Sequence, residues 1–485
     1  MAAIVAAAIA VRIPSILHEG LWRDEAYVYV DLIAPTFKEF FHRVVETEYH
    51  PPLYFLLVYV WVKLAGISEI SLKTLPLTCS ILTVLAVYRL GRIAGSRALG
   101  LLAAAMYALS PVAIEQAGNY VYPPMALLCT VLAGLVMSAR REPLTPTRFG
   151  AIAGVAALAF YTHYAALFYV PMLMIWAFFS PKGLRHGAAV AGALLLGFVP
   201  FVLWVPTFLS QRASYHVRIP DLGAKLTFLA GAIVQSTPVW THEFMALFLI
   251  LAAAAFVLAL RSPRRLNPDA SAMGAIFIAS LLVVSVTSTL NIRYIAIFES
   301  LWCVFLASLF VDSVEILRAR YPAFWRPWGV VIAVVLCVVF VFEDATFARH
   351  TTLVPKSGIR TFVAAQPLDR DTLYAVAPDY MTATFAFYAR DADVAYTGVP
   401  NIDHPEIFRF ATVSRWRRPG IVEEALANLQ QQVRPYSYLD LIVNENSGED
   451  NVKRLEQALA QRYALVWHQY YSGKFEPITV YRFRT

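Results

Sequence analysis

Two short polar stretches lie between the long apolar segments of the N-terminal region: Leu21-Trp22-Arg23-Asp24-Glu25-Ala26-Tyr27 and His50-Pro51-Pro52-Leu53-Tyr54. The first places two adjacent carboxylates, those of Asp24 and Glu25, in what is predicted to be a short external loop. The second begins the next apolar segment with a histidine and two prolines. Nothing else in the sequence resembles an active site as closely as these two stretches.

The composition is that of an integral membrane protein. Of the 485 residues, 59% are hydrophobic and only 15% are charged, and the mean hydropathy is +0.57, so a soluble globular protein is excluded. The apolar residues form blocks of about 15 to 22, close to the ~20 that a helix needs to cross a ~30 Å hydrocarbon core. We expect a polytopic α-helical membrane protein with about 11 to 13 transmembrane helices, in which segments 51–66 and 226–240 are only partly inserted.

Basic residues predict which helix ends face the cytoplasm, because turns rich in Lys and Arg remain on that side. In this chain such turns lie near residues 89–97, 140–148, 182–185, 261–265 and 318–326. The opposite side then receives residues 18–50, 117–119, 162–164, 210–225, the Asn291–Arg293 turn and everything after Phe342. The net charge of +7 is explained by these turns, so binding of nucleic acid is not expected.

The sequence changes character after the last apolar segment. We expect a transmembrane catalytic domain over residues 1–345 and an extracytoplasmic, water-soluble α/β domain over residues 346–485. Helices are predicted at Ile421–Gln432 and Asn451–Arg462. Strands are predicted at Leu373–Ala377, Val394–Thr397, Leu439–Val443, Ala464–Trp467 and Ile478–Phe483. Since no Gly-rich phosphate loop accompanies them, a lid or acceptor platform is favoured over a nucleotide site.

The surroundings of Asp24 favour proton transfer. Trp22 and Tyr27 are amphipathic aromatics suited to the bilayer interface, and they bracket the two carboxylates at headgroup depth. A carboxylate there is less hydrated than in water, so it is harder to ionise and becomes a better base for an alcohol. The alternative is that Asp24 and Glu25 are ordinary solvated acids or helix-start residues.

His50 is predicted on the same side of the membrane as Asp24. The two prolines after it fix the backbone where the first N–H groups of a helix need no partner. His50 could contact a phosphate, hold the acidic loop by a hydrogen bond, or join a metal site with Asp24, Glu46 or Glu48. It could equally be only part of a helix start.

Both stretches closely resemble the first external loop of GT-C glycosyltransferases, the group that includes protein O-mannosyltransferases and the lipid A aminoarabinose transferases. The resemblance includes the amphipathic Ala34–Val45 stretch and covers residues 10–312. Further matches follow in order: Gly91-Arg92 with Gly95, Ala108-Leu109-Ser110-Pro111 with Glu115-Gln116, Phe160-Tyr161-Thr162-His163-Tyr164, and Arg293-Tyr294. One difference is Gln116-Ala117-Gly118-Asn119-Tyr120, where bacterial relatives often have Gln-Glu-Ala-Arg-Met-Tyr.

The resemblance implies a GT-C fold and an inverting glycosyltransferase located in the cytoplasmic (inner) membrane. Its donor would be a sugar linked to a polyprenyl phosphate in the lipid bilayer, and its acceptor an extracytoplasmic protein, glycan or lipid. Asp24 matches the general base of the family, while Glu25 and His50 are expected to support the loop or an optional metal. No cofactor is certain, and a divalent cation is left open.

The phosphate needs a cation, and Arg293 is the first candidate because it stands beside Tyr294 at the external end of an apolar helix. Its alternative role is that of an arginine that only reaches the membrane surface. The predicted external loop of residues 210–225 could cover the same phosphate or bind lipid. Its candidate residues are Arg212, Arg218 and Lys225, in a loop that also contains Tyr215 and His216.

Further residues are expected to bind substrate: Arg23, Tyr27, Glu115, Asn119, Tyr161, His163 and Tyr164. His163 and its two tyrosine neighbours lie at a turn between apolar segments, where aromatic rings suit a sugar face or a prenyl chain. They could equally form an interfacial belt. Glu115 could orient sugar hydroxyls or a metal.

A transporter or flippase for a lipid-linked or anionic substrate is the main alternative function. Such a protein would show paired halves with corresponding broken helices and charges at mid-membrane, whereas this sequence shows no internal repeat. A signalling or scaffolding membrane protein would not require the acidic loop.

Overall fold

A computed structural model describes residues 1–214, 221–239, 241–261, 266–287, 293–323, 353–400, 418–446 and 450–485, together with single residues and pairs between 331 and 351. The candidate phosphate-binding residue Arg218 lies outside the described residues, as do Tyr215 and His216 of the same loop.

The N-terminal region is helical. Its helices, in chain order, are α1 Ala2–His18, α2 Arg23–Leu32, α3 Phe37–Thr47, α4 Leu53–Ala65, α5 Glu69–Ala94, α6 Arg97–Ala108, α7 Pro111–Glu115, α8 Tyr122–Arg141, α9 Pro146–Thr162, α10 Ala166–Phe178, α11 Leu184–Phe198, α12 Val205–Ser214, α13 Leu222–Gln235, α14 His242–Arg261, α15 Pro268–Thr287 and α16 Arg293–Arg320. A 3-10 turn, Val199–Trp204, joins α11 to α12.

Within the described residues, six helical segments are long and apolar enough to cross a membrane: Glu69–Ala94, Tyr122–Arg141, Leu184–Ala213, His242–Leu260, Pro268–Val286 and Arg293–Arg320. α1 and α2 pass the same test together, but a bend of 73° separates them. Shorter apolar helices are α4, α6, α10 and α13. The chain is therefore a polytopic α-helical membrane protein, and the expected total of about 11 to 13 crossings stays a prediction.

Turns rich in basic residues meet at one end of the helix bundle. The carboxylate of Asp269 accepts hydrogen bonds from Arg140 (Nη1 to Oδ1, 2.6 Å) and from Arg141. Arg141 also donates to the Ile93 carbonyl at 2.7 Å. These contacts join the turns that follow α5 and α8 to the turn that precedes α15. α15 then runs to the opposite end of the bundle, where α16 begins at Arg293.

The segment 18–50 is largely helical rather than a loop. In α2, the Trp22 N–H donates to the Glu25 carboxylate at 3.4 Å, a contact that satisfies an amide at the helix start. Asp24 and Glu25 both lie in the first turn of α2, where carboxylates interact favourably with the positive end of the helix. The interpretation of these acids as helix-start residues is therefore correct as to position. α3 covers most of the amphipathic Ala34–Val45 stretch.

In the described part of the C-terminal region, five strands form one mixed sheet in the order β2-β1-β3-β5-β4. β1 is parallel to β2 and β3, whereas β5 is antiparallel to β3 and β4. The strands are β1 Thr372–Ala377, β2 Ala395–Gly398, β3 Tyr438–Asn444, β4 Ala464–Tyr471 and β5 Ile478–Arg484. The helices are α17 Gly358–Ala365, α18 Thr382–Tyr388, α19 Ile421–Val433 and α20 Asp450–Ala460. The predicted α/β domain is confirmed, with each predicted strand at its expected place.

Helices cover both faces of this sheet. α19 and α20 bury residues such as Leu455 against one face, and α17 and α18 bury residues such as Phe385 against the other. α18 also packs against α2, where the rings of Tyr29 and Phe387 are 5.2 Å apart and nearly perpendicular. The C-terminal domain thus rests directly on the helix that carries Asp24.

Candidate active site

Asp24 lies between two arginines. Its Oδ1 is 3.0 Å from Nε of Arg23, and its Oδ2 is 2.5 Å from Nη1 of Arg293. Arg293 is the first residue of α16, so the start of a long apolar helix meets the first turn of α2. With a guanidinium on each carboxylate oxygen, Asp24 is held in its ionised form. The pairing brings together the residues that the sequence predicts as base and as phosphate ligand.

Aromatic rings surround the two guanidinium groups. The Arg293 guanidinium lies 4.2 Å from the centre of the Trp22 ring, and that of Arg23 lies 4.8 Å from the ring of Tyr380. Phe475 packs on Trp22 with 4.8 Å between ring centres. Tyr380 and Phe475 belong to the C-terminal domain, and no sequence pattern pointed to either of them.

Glu25 and Tyr27 face the C-terminal domain. The Glu25 side chain is 5% exposed and pairs with Nζ of Lys356 at 2.6 Å. The Tyr27 hydroxyl donates to the Tyr380 carbonyl at 2.6 Å. Glu25 therefore supports the acidic segment, as predicted, but it does so through a lysine from another domain. Tyr27, predicted to bind substrate, also serves as a link between the domains.

His50 and His163 form a stacked pair. Their ring centres are 4.7 Å apart, and the His163 ring also contacts Tyr122 at 5.7 Å and Tyr294 at 5.8 Å. Burial lowers the pKa of His50 to about 4 and lowers the pKa of His163 well below its usual range, so both imidazoles are neutral near pH 7.

One nitrogen in each ring remains open to a ligand. His163 Nδ1 accepts the Ala165 N–H at 3.0 Å, whereas the buried His163 Nε2 and His50 Nδ1 have no hydrogen-bond partner among the described residues. His50 also lies within electrostatic reach of Asp24 and Arg293. His50, His163, Tyr294 and Arg293 therefore lie in one cluster.

Behind this cluster lie two buried acids, of which the sequence analysis named only Glu48. Asp31 and Glu48 are neighbours, and the Tyr120 hydroxyl donates to Glu48. Burial raises the pKa of Glu48. Gln211 donates from Nε2 to the Glu48 carbonyl at 2.6 Å. The contacts from Tyr120 and Gln211 hold the chain just before His50.

The described residues contain no group of three or more His, Cys, Asp or Glu side chains placed to hold a metal ion. Of the acids considered for a metal site with His50, Glu46 lies 3.3 Å from His42 Nε2, and Glu48 belongs to the buried pair. These positions give the optional metal no ligand set.

Several residues predicted to bind substrate are engaged elsewhere. Glu115 forms an ion pair with Lys474 of the C-terminal domain. Asn119 is buried and donates from Nδ2 to Gln116 Oε1 at 2.6 Å. The Tyr161 hydroxyl donates to the Pro200 carbonyl at 2.6 Å.

The hydroxyl of Tyr164 is also taken up by neighbouring side chains. It donates to Gln211 and accepts from Trp204 Nε1 at 3.0 Å. Of the Tyr161–Tyr164 turn, only His163 reaches the cluster around Tyr294.

Comparisons with known proteins show what the chain as a whole is similar to. Residues 49–206 match the family described as dolichyl-phosphate-mannose-protein mannosyltransferase. No curated protein matches the chain by sequence.

Solved structures share the architecture over nearly the whole chain. ArnT from Cupriavidus metallidurans bound to undecaprenyl phosphate is 13% identical, with a TM-score of 0.59 over 99% of this chain and 97% of that one. The oligosaccharyltransferase AglB from Archaeoglobus fulgidus, in complex with an inhibitory peptide and a dolichol-phosphate, is 11% identical, with a TM-score of 0.56 over 99% and 74%.

A third structure extends the likeness to a larger enzyme. The arabinofuranosyltransferase AftD from Mycobacteria is 15% identical, with a TM-score of 0.52 over 99% of this chain and 41% of that one. The predicted fold is confirmed, since this chain shares the GT-C fold of these structures.

Proposed function

We propose that this protein transfers one sugar from a polyprenyl-phosphate carrier to an acceptor hydroxyl, with inversion at the anomeric carbon. The reaction takes place at the extracytoplasmic surface of the cytoplasmic (inner) membrane. The acceptor is a protein, a glycan or a lipid. GT-C neighbours that bind undecaprenyl phosphate or dolichol-phosphate support a lipid phosphate as the donor class.

The observation that carries the proposal is the contact between Asp24 and Arg293, at 2.5 Å. It joins a carboxylate and a guanidinium from the first turn of α2 and the first turn of α16. A single displacement at a sugar carbon needs a proton acceptor on one side and a cation for the departing phosphate on the other. These two residues provide both functions at the end of an apolar helix, where the head group of a membrane lipid lies.

The proposed reaction is one concerted exchange. The acceptor oxygen forms a bond to the anomeric carbon while its proton passes to the Asp24 carboxylate. The bond between that carbon and the phosphate oxygen breaks, and the electron pair leaves with the lipid phosphate. Arg293 stabilises the charge that develops on the phosphate. No nucleotide is required, because the lipid carries the activated sugar.

Donor binding also prepares the base. In the structure both oxygens of Asp24 are bound by guanidinium groups, which reduces the basicity of the carboxylate. A lipid phosphate competes for Arg293, because arginine pairs with phosphate in the same two-pronged geometry as with a carboxylate. Release of one arginine restores the basicity of Asp24 once the donor is in place.

The sidedness rests on the distribution of charge. The basic turns meet at one end of the bundle, around Asp269, whereas α16 begins at the other end with Arg293. The positive-inside rule assigns the basic end to the cytoplasm. Asp24 and the C-terminal domain then lie on the extracytoplasmic side.

The test is sugar transfer by membranes that contain the protein, supplied with a panel of polyprenyl-phosphate sugars, each with and without a chelator. For the wild type we expect transfer from one of these donors. Asp24→Asn should lower kcat by about 100- to 10,000-fold, the usual contribution of a general base. Glu39→Gln is the matched control, since Glu39 is a partly exposed acid of the same segment that pairs with Arg43.

Full activity of Asp24→Asn would remove Asp24 from the reaction. Movement of a lipid-linked substrate across the membrane without sugar transfer would instead support the transporter alternative.

A further inference from the structure

A buried lysine of the C-terminal domain reaches the helix that carries Asp24. Lys356 is 1% exposed, and its Nζ lies 2.6 Å from Oε1 of Glu25 and 3.4 Å from Oε2 of Glu19. Its backbone N–H also donates to the Glu19 carbonyl at 2.7 Å. Burial by itself lowers the pKa of Lys356, but the two carboxylates raise it above its ordinary value, so the lysine is charged. It therefore ties Glu19, where the turn between α1 and α2 begins, to the first turn of α2.

A buried glutamate of the same domain binds the start of α2. Oε1 of Glu476 accepts the backbone N–H of Arg23, the first residue of α2, at 3.1 Å. The first N–H groups of a helix lack partners within the helix, so a carboxylate from outside satisfies one of them and interacts with the helix dipole. The C-terminal domain thus supplies part of the N-terminal cap of α2.

Lys356 and Glu476 act as one unit, because their backbones are joined. The Glu476 N–H donates to the Lys356 carbonyl at 3.1 Å, and the Gly358 N–H donates to the Glu476 carbonyl at 2.8 Å. One rigid edge of the domain therefore presents a cation to Glu25 and a carboxylate to the helix start.

The turn before α2 leaves little freedom for this contact to slip. Gly20 has a φ of +68°, and a Cβ atom there would lie 2.4 Å from Cδ of Arg360 and 2.5 Å from the hydroxyl of Tyr388. The Tyr388 hydroxyl accepts the Leu21 N–H at 2.7 Å. The turn therefore packs closely against the C-terminal domain at Gly20. Moving the two apart would break the hydrogen bond from the Leu21 N–H to Tyr388.

The direction of Asp24 follows from these contacts. Asp24 and Glu25 are consecutive in a helix with 3.6 residues per turn, so fixing the direction of one side chain fixes that of the other. With Glu25 held toward Lys356, Asp24 points toward Arg293. A buried ion pair contributes little net stability compared with apolar packing, but it imposes a defined geometry on the groups that it joins.

We infer that Lys356 and Glu476 are positioning residues, through which the C-terminal domain sets the orientation of Asp24 in the reaction. The inference rests on the proposed function. It assigns the domain a direct part in forming the active site, in addition to any contact with the acceptor.

The first experiment compares Lys356→Met with Arg482→Met in sugar transfer. Arg482 of β5 pairs with the buried Asp440 of β3 at 2.7 Å, so its loss also leaves a buried carboxylate without a cation, but within the sheet rather than at α2. We expect Lys356→Met to lower kcat by about 10- to 100-fold with little change in the KM for the donor, because small displacements of a reacting group have effects of this size. Arg482→Met should keep kcat within about threefold of the wild type. Equal effects of the two substitutions on kcat would overturn the inference.

A double variant separates positioning from stability. Lys356→Met leaves Glu25 and Glu19 buried without their shared cation, which destabilises the fold. Lys356→Met with Glu25→Met removes the closer of the two ion pairs as a whole, while Glu19 remains, and should raise the melting temperature part of the way back. If the pair positions Asp24, kcat stays low in the double variant. If kcat recovers together with the melting temperature, the pair has only a structural role.

Amide hydrogen exchange tests the contact without any sugar transfer. In Lys356→Met, peptides that cover residues 21–32 should exchange faster than in the wild type, and Arg482→Met should leave them unchanged. Unchanged exchange in Lys356→Met would refute the inference even if the enzyme is active. If exchange is faster in Lys356→Met but the wild type transfers no sugar, the proposed function is refuted and the contact between Lys356 and α2 is still established.

Discussion

The two halves of the active site differ in how their polar groups are satisfied. Around Asp24 every charge has a partner within the chain: Arg23 and Arg293 bind the carboxylate, and Lys356 binds Glu25. Around His50 and His163 the rings are stacked and neutral, and each has a buried nitrogen without a partner among the described residues.

This difference shows where a ligand must compete and where it only needs to bind. A phosphate that approaches Asp24 has to replace an existing ion pair, so its binding changes the state of the base. A polar group that approaches the histidine pair gains hydrogen bonds without breaking any that the described residues provide. We expect substitutions in the charged half to affect the chemical step most and substitutions in the histidine half to affect mainly binding.

The largest expected effect comes from Arg293, which has a role both at Asp24 and at the phosphate. Arg293→Met should lower kcat/KM by about 100- to 1,000-fold, the range seen when one group that stabilises developing charge is removed. Arg293→Lys keeps the charge but not the two-pronged geometry, so its activity should lie between those of the wild type and Arg293→Met. Steady-state transfer from the polyprenyl-phosphate donor measures both variants.

Lys38→Met serves as the control, since Lys38 is an exposed cation of α3. Equal activity of Arg293→Met and Lys38→Met would mean that Arg293 is only an interfacial arginine.

The histidine pair should show an intermediate effect. His50→Phe and His163→Phe each keep an aromatic ring in the pair but remove the ring nitrogens. We expect each change to raise the KM for the donor by about 10-fold, which corresponds to loss of about one hydrogen bond to a charged group. Since the pKa of His50 is about 4, this KM should not vary between pH 6 and pH 8 through His50.

Tyr161→Phe is the control for the histidine substitutions, because the Tyr161 hydroxyl bonds only to the Pro200 carbonyl among the contacts described. A donor KM that is equally unaffected in all three variants would show that the histidines serve packing alone.

The last expected effect is on stability rather than activity, as a pH dependence that arises from Glu476. Burial raises the pKa of this carboxyl from 4.5 to about 7 in the folded protein. The folded state therefore keeps a proton that the unfolded state has lost, and the free energy of unfolding falls as the pH rises from about 4.5 to about 7 and then levels off. The loss is at most about 3 kcal/mol.

Glu476→Gln should flatten this dependence, because an amide does not titrate but still accepts the Arg23 N–H. Melting temperatures of the detergent-solubilised wild type and variant, measured from pH 5 to pH 8, provide the test. Parallel curves for the two proteins would assign the pH dependence to other groups.

Much of this organisation could be predicted from local sequence. The strands of the C-terminal domain were placed within a few residues, since alternating and β-branched apolar runs bounded by turns are local signals. α17 and α18 were missed because they contain only 8 and 7 residues, too few for a helical period to stand out. The polar residues near Asp24 predict an external loop, because the hydrogen bonds that begin α2 and α3 leave a weaker signal in the sequence.

The residues predicted for the candidate site divide into those that lie together in the structure and those that bind other side chains. Asp24, His50 and Arg293 were found because they stand out as polar residues at the ends of apolar segments. Glu115 and Asn119 have the same appearance, yet their side chains bind Lys474 and Gln116.

Lys356, Tyr380 and Glu476 could not be found from the sequence. Each stands in a water-soluble stretch without a motif, where an isolated charged or aromatic residue is ordinary. Their importance depends on the docking of one domain on another, which leaves no local pattern.

The sequence by itself determined that this chain is a membrane protein with a soluble α/β domain, since hydropathy and periodicity depend on neighbouring residues alone. Only the tertiary structure decided which charges are paired. The partners Arg293 and Asp24 are 269 positions apart, and Lys356 and Glu25 are 331 apart. Whether such groups meet, and which of them stay available to a ligand, depends on how the helices and the domain pack together.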